Sequence, residues 1–178
     1  MEHYNGNASS PFLFYLYTVK EQHKPIKRSP QLAPLSREHH DALLFIWKIR
    51  QGLKNETSID KLRAYSLWYW KEHTKPHFFQ EEKILLPFLD EDDAFAVQLK
   101  NEHSLIRELV LSLDKEPDAE IFVLFTDLAE KHIRWEERSL FPYLEKMLSQ
   151  EQLDTILKEL QLHPIACDEW TDVFWAKK

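Results

Sequence analysis

The chain contains very little glycine and almost no cysteine. Only two of its 178 residues are glycine, Gly6 and Gly52, and this scarcity disfavours a turn-rich β architecture and favours long helices. Its one cysteine, Cys167, excludes an intramolecular disulfide and a cysteine-rich metal site. We therefore expect an all-α protein, and the lone cysteine is typical of a protein in a reducing cytoplasm.

Long apolar runs and basic clusters are also missing from the sequence. The apolar segment 12–17 is far shorter than the ~20 residues that a membrane-spanning helix needs, and no basic region precedes it. The formal net charge is −7, with lysine and arginine scattered among acidic residues, and such a surface would repel a phosphate backbone. We predict a cytoplasmic protein with no membrane partner and no nucleic-acid partner.

Proline positions and apolar periodicity divide the chain into three parts. Four prolines between 11 and 34 predict an irregular N-terminal arm over 1–33. A domain over 34–148 follows, with helices predicted at about 36–51, 57–86, 93–116 and 118–148. Residues 149–178 begin with a capping box at Ser149 and Gln152, which predicts a short helix to about 161. We expect the apolar tail that ends this part to pack back on the domain or to form a homodimer with a second subunit.

Three residues are predicted to shape the first two helices of the domain. Gly52 is placed to end the first helix. Ser58 can cap the second helix, as can its neighbour Thr57. Pro76 lies inside the second helix and should bend it.

One phrase occurs twice and carries the chemistry of the sequence. HFFQEEKILLPFL runs from His77 to Leu89, and HIRWEERSLFPYL runs from His132 to Leu144. The preceding helices also match each other, because each contains a glutamate followed by a histidine, in LSREH and in LKNEH. The repeating unit is therefore a helix with EH followed by a helix with HxxxEExxLxP.

Helical geometry turns each phrase into a chelating pair. A residue four positions on lies only about 40° around the helix and ~6 Å further along it. Two helix pairs related by a pseudo-twofold axis would therefore point four histidines and two carboxylates inward: His39, His77, Glu81, His103, His132 and Glu136. Burying so many polar groups is costly unless they are paired or bound to metal. This donor set has no thiolate and suits iron, manganese or zinc.

In order and spacing these residues resemble the hemerythrin-like, HHE cation-binding family over about residues 33–148. The resemblance implies an up-down-up-down four-helix bundle that holds two iron ions bridged by carboxylates, with an oxo bridge as one way to complete their ligands and with zinc or manganese as alternative metals. It also implies a diatomic ligand, O2 or NO, and a role in sensing, detoxification or iron handling.

One position departs from the oxygen-carrying hemerythrins, which have a second histidine one turn after the ligand of the third helix. Arg107 stands there in this chain, and we expect it to extend to solvent more than to steer an anionic ligand. The resulting set, with His39 and His77 on one ion and His103 and His132 on the other, is similar to that of hemerythrin-like proteins that repair iron centres. A repair or NO-reducing redox factor is therefore an alternative function. A structural metal in an interaction module is another.

For several neighbouring residues the sequence allows more than one role. His40 competes with His39 as the ligand of the first helix, and alignment with the third helix favours His39. His73 could be a further ligand, a proton relay or a solvated group. Glu82 and Glu137 repeat as faithfully as the ligands, but their offset of about 100° around the helix predicts that they are acceptors behind the histidines or surface charges.

Overall fold

The fold consists of α-helices and short π-helical turns. A computed structural model describes residues 27–165 and 169–176, and within these ranges no residue lies in a β-strand. The α-helices are α1 (Ala33–Lys54), α2 (Ile59–Tyr69), α3 (Lys75–Gln80), α4 (Ala94–Lys115), α5 (Ala119–Trp135), α6 (Phe141–Met147) and α7 (Gln150–Leu162). The all-α prediction is confirmed. Most of the predicted arm, 1–26, and Cys167 lie outside the described residues. Among the described helices, none has the length and apolar character needed to cross a membrane.

Three π-helical turns join shorter helices into two long helical rods. Rod A (59–88) contains the π turns Trp70–Thr74 and Glu81–Leu85 and ends in a 3₁₀ turn, and rod B (119–147) contains the π turn Glu136–Leu140. A proline follows each π turn at its second residue, at Pro76, Pro87 and Pro142. Proline has no N–H to donate, and its ring clashes with the carbonyl four residues earlier, so a widened turn before it relieves both problems. A π turn thus precedes Pro76, and the bend predicted there stays a prediction.

Side-chain caps begin α4, α5 and α7. Asp93 accepts a hydrogen bond from the backbone N–H of Phe95 at 2.7 Å, and Asp118 accepts one from that of Ile121 at 2.8 Å. The capping box predicted for α7 is confirmed. Ser58 occupies the cap position of α2, but its side chain makes no capping hydrogen bond.

Gly52 does not end α1, contrary to the prediction, because the helix continues to Lys54. A Cβ atom at Gly52 would lie 2.5 Å from the side chain of Leu62 and 2.7 Å from the ring of Phe174. The glycine is therefore needed for close approach between α1, α2 and the C-terminal tail. Its conformational freedom is not used.

The C-terminal tail packs on its own chain, which is one of the two arrangements predicted for it. Asn55 donates a hydrogen bond to the carbonyl of Trp175 at 3.2 Å. The Lys48 ammonium lies 4.2 Å from the centre of the Trp175 ring, and Lys61 pairs with Asp172 at 2.8 Å. These contacts place the tail against the end of α1 and the start of α2.

Two apolar clusters fill the interior. The first contains the start of α1, the end of rod A, the start of α4, the end of rod B and the inner side of α7. The second contains the opposite ends of the same four elements and Phe174 of the tail. α1 and α4 pass from the first cluster to the second, whereas both rods pass from the second to the first. The residues of the EH and HxxxEE motifs lie between the two clusters on all four elements.

Candidate metal centre

Six buried polar side chains meet between the two apolar clusters. Each is at most 8% exposed, and together they are the six predicted metal ligands: His39, His77, Glu81, His103, His132 and Glu136. His40, the competitor on α1, is exposed. The structure therefore brings all six predicted residues together, and their role as ligands stays a prediction.

The first group of ligand atoms is centred on two histidines. The Nε2 atoms of His39 and His77 lie 3.1 Å apart. Glu81 Oε1 lies 3.1 Å from the Nε2 atom of His77, and Glu136 Oε2 lies 3.0 Å from that of His39. These four residues offer atoms that all lie within 4.8 Å of one another, so the group could hold a metal ion.

The second group uses the other oxygen of each glutamate. Glu81 Oε2 lies 3.2 Å from Nε2 of His103, and Glu136 Oε1 lies 3.2 Å from Nε2 of His132. These four residues form a second set that could hold a metal ion. Each glutamate thus turns one oxygen towards each pair of histidines.

Six of the eight polar atoms at the centre lack hydrogen-bond partners. Both carboxylate oxygens of Glu81 and of Glu136 are buried without one, as are the Nε2 atoms of His103 and His132. The atoms are close, but none of these contacts is aligned as a hydrogen bond. A buried polar atom without a partner costs about 1–3 kcal/mol, and two ions between the groups would satisfy all of them. The donor set therefore fits a pair of metal ions.

A ring of four further carboxylates surrounds the histidines. Each Nδ1 atom lies 2.7–2.8 Å from one glutamate, and the pairs are His39 with Glu137, His77 with Glu38, His103 with Glu82, and His132 with Glu102. The partners connect α1 to rod A, rod A to α4, α4 to rod B and rod B back to α1. A carboxylate that accepts the Nδ1 proton turns the Nε2 lone pair inward, as metal ligation requires.

Only half of this ring was predicted from the sequence. Glu82 and Glu137 take the first of their two predicted roles, as acceptors behind the histidines. Glu38 and Glu102 were missed, although each repeats as the glutamate of an EH motif. That repetition is the signal that could have identified them.

The carboxylates outweigh the effect of burial on the pKa values of His39 and His77. Burial lowers the pKa of His77, but the charge of Glu81 and the hydrogen bond to Glu38 outweigh it and raise this pKa to about 9. Burial likewise lowers the pKa of His39, and Glu136 and Glu137 raise it well above the usual value. In the absence of metal, the raised pKa values of His39 and His77 favour their protonated forms, which offset part of the negative charge of the carboxylates.

A small, mostly apolar cavity of about 110 Å³ reaches one side of the site. The three candidate ligands that line it are His39, His77 and His132. Its other walls include Phe45, Phe125 and Ala129. His73 also lines the cavity but belongs to neither group of ligand atoms, and its ring stacks on Tyr69 with centroids 4.5 Å apart. A molecule of a few atoms could reach the centre by this route.

The chain matches no protein-family model, no curated protein and no solved structure.

Proposed function

We propose that the chain is a hemerythrin-like di-iron protein that binds or reacts with O2 or NO in sensing, detoxification or iron handling. In this proposal α1, rod A, α4 and rod B form an up-down-up-down four-helix bundle, which agrees with the alternating order of the two apolar clusters along them. One observation carries the proposal: two groups of buried ligand atoms share both Glu81 and Glu136.

The residues divide into those that hold the ions and those that hold the ligands. His39 and His77 would bind one ion, His103 and His132 would bind the other, and the two shared glutamates would bridge them. The outer glutamates hold the Nδ1 protons and fix the imidazole planes. An iron pair bound here supplies open coordination positions and a change of redox state to a diatomic ligand.

The cavity favours a reactive centre over a structural metal. A structural zinc site is usually closed by four protein ligands and needs no access route. Here an apolar cavity reaches three of the four histidines, and O2 and NO are small and nearly apolar. Nitrogen and oxygen donors without thiolate also suit iron.

Anaerobic reconstitution with ferrous iron tests the proposal. We expect about two irons per chain, and a change in the visible absorption spectrum when O2 or NO is added. The double variant Glu81→Ala, Glu136→Ala should lose the iron, whereas Glu108→Ala, at an exposed position of α4, should bind as the wild type does. At most one bound ion in the wild type, or a spectrum unchanged by both gases, would refute the proposal.

A further inference from the structure

Arg28 and Arg107 hold equivalent places around the candidate centre although they come from unrelated positions in the sequence. Arg28 precedes α1, and its guanidinium donates a hydrogen bond to Glu137 at 2.7 Å. Arg107 lies within α4 and donates one to Glu82 at 2.6 Å. These two glutamates are the ones that hold the EH histidines of α1 and α4. A chain of arginine, glutamate and histidine therefore occurs twice.

A phenylalanine lies beside each of these chains. Phe141 stacks on His39 with ring centroids 5.2 Å apart, and the guanidinium carbon of Arg28 lies 5.0 Å from the Phe141 ring. Phe78 stacks on His103 with ring centroids 3.5 Å apart, and the guanidinium carbon of Arg107 lies 5.4 Å from the Phe78 ring. Each guanidinium therefore contacts both the carboxylate and the ring that orient one imidazole.

Duplication of the motifs does not account for this likeness. Phe141 follows the second glutamate of its phrase by four residues, whereas Phe78 precedes the corresponding glutamate by four. The two arginines also differ, because Arg107 lies four residues after its histidine and Arg28 lies eleven before. The same arrangement is therefore built from different positions in the two halves.

The other two outer carboxylates have no such cation. Within the described ranges, Glu38 and Glu102 form no ion pair with an arginine or a lysine; Glu102 accepts a hydrogen bond from Gln98 at 2.7 Å instead. Each candidate ion would therefore have one histidine that an arginine supports and one that it does not. The six inner and outer carboxylates, two arginines and two divalent ions together would carry no net charge.

We infer that Arg28 and Arg107 are positioning residues for the metal centre, each for a different ion. This inference rests on the proposed two-ion site. Arg28 would orient His39 through Glu137, and Arg107 would orient the corresponding histidine of α4. Arg28 is held more firmly than Arg107. Its side chain is 6% exposed and also donates to Glu145 at 3.1 Å, whereas that of Arg107 is 40% exposed.

Titration with cobalt(II), followed by its visible absorption and by competition with a chelator, tests the inference on the full chain. The wild type should bind two ions. Arg28→Gln and Arg107→Gln should each weaken one of the two binding steps by several-fold to about tenfold, and leave the other unchanged. Lysine at either position should restore part of the loss, since it returns the charge without the planar fork. Arg50→Gln is the control, because Arg50 pairs with Asp127 and Glu130 outside the site.

The possible outcomes separate the inference from the proposed function. If the wild type binds two ions and both glutamine variants retain both affinities, the inference fails and the proposed function stands. If both steps weaken equally, together with the stability of the metal-free protein, the arginines are only structural and the inference also fails. If the wild type binds fewer than two ions, both the inference and the proposed function are contradicted. Should Arg28→Gln not fold, the more exposed Arg107→Gln still decides the question.

Discussion

The Nδ1 atom of His39 lies 2.7 Å from Glu137, which is the residue next to Glu136 in the repeated phrase. The two adjacent glutamates of each HxxxEE motif divide the roles in this way. The first points into the centre, and the second lies beside the Nδ1 atom of a histidine on another element. The four contacts form a closed ring through α1, rod A, α4 and rod B. The site therefore depends on how these four elements are placed relative to one another.

Replacement of an outer carboxylate should weaken metal binding without loss of the fold. Glu102→Gln keeps an oxygen that can accept the Nδ1 proton of His132 but removes the charge that makes the imidazole a stronger donor. We expect an affinity lower by about 10–100-fold, measured by chelator competition. Glu108→Gln on the same helix is the control. An unchanged affinity would mean that the ring has no influence on the metal.

Filling the cavity should slow the access of small ligands and leave metal binding intact. Ala129 lines the cavity and lies outside both groups of ligand atoms, so Ala129→Leu removes space without removing a donor. We expect iron loading to stay at two per chain and the rate of NO binding to fall, as measured by stopped-flow absorption. Ala64→Leu, at an exposed position of α2, controls for the added side chain. If NO binds Ala129→Leu as fast as the wild type, the ligand reaches the site by another path.

Metal binding should release protons at neutral pH. The pKa of His77 is raised to about 9, because Glu81 and Glu38 outweigh the effect of burial, so its imidazole is protonated at pH 7 in the metal-free protein. A metal ion needs the deprotonated Nε2 atom. The apparent affinity should therefore rise with pH up to about 9, and the number of protons released should fall above it. Calorimetry in buffers with different ionisation enthalpies measures this number, and binding without proton release at pH 7 would contradict the assignment.

The six central residues could be predicted from the sequence because their signal is local. A histidine and a glutamate four residues apart face the same way on any α-helix, and the phrase occurs twice. Arg28 has no such signal, because its partner Glu137 lies 109 residues away, and only the folded chain brings the two together. The sequence showed where Arg107 lies on its helix but not which residue it contacts. An arginine bound to Glu82 could therefore not be distinguished from one that extends into solvent.

Local signals also failed where backbone and packing interact. The three prolines were visible, but the π turns that precede them depend on how a helix accommodates a missing donor while staying packed on both sides. Gly52 was interpreted as a helix end, because glycine often has that role. Its actual role comes from Phe174, more than a hundred residues later in the chain.

Gly52→Ala tests that role, since the two explanations predict opposite signs. In the interior of an exposed helix, alanine in place of glycine would stabilise the protein by about 1 kcal/mol. Here the new methyl group would lie 2.5 Å from Leu62 and 2.7 Å from Phe174, and overpacking of this kind costs about 1–3 kcal/mol. We expect a net loss of about 1 kcal/mol in the free energy of unfolding, measured by urea denaturation.

The source of the loss can be found with a double-mutant cycle. Phe174→Ala removes the ring that meets the new methyl group, and the end of the Leu62 side chain can rotate away from it. In the Phe174→Ala background, Gly52→Ala should therefore be neutral or stabilising. If Gly52→Ala destabilises both backgrounds equally, the tail does not lie against α1 as described. If it stabilises the wild type, the glycine has no packing role and the close approach of the tail is wrong.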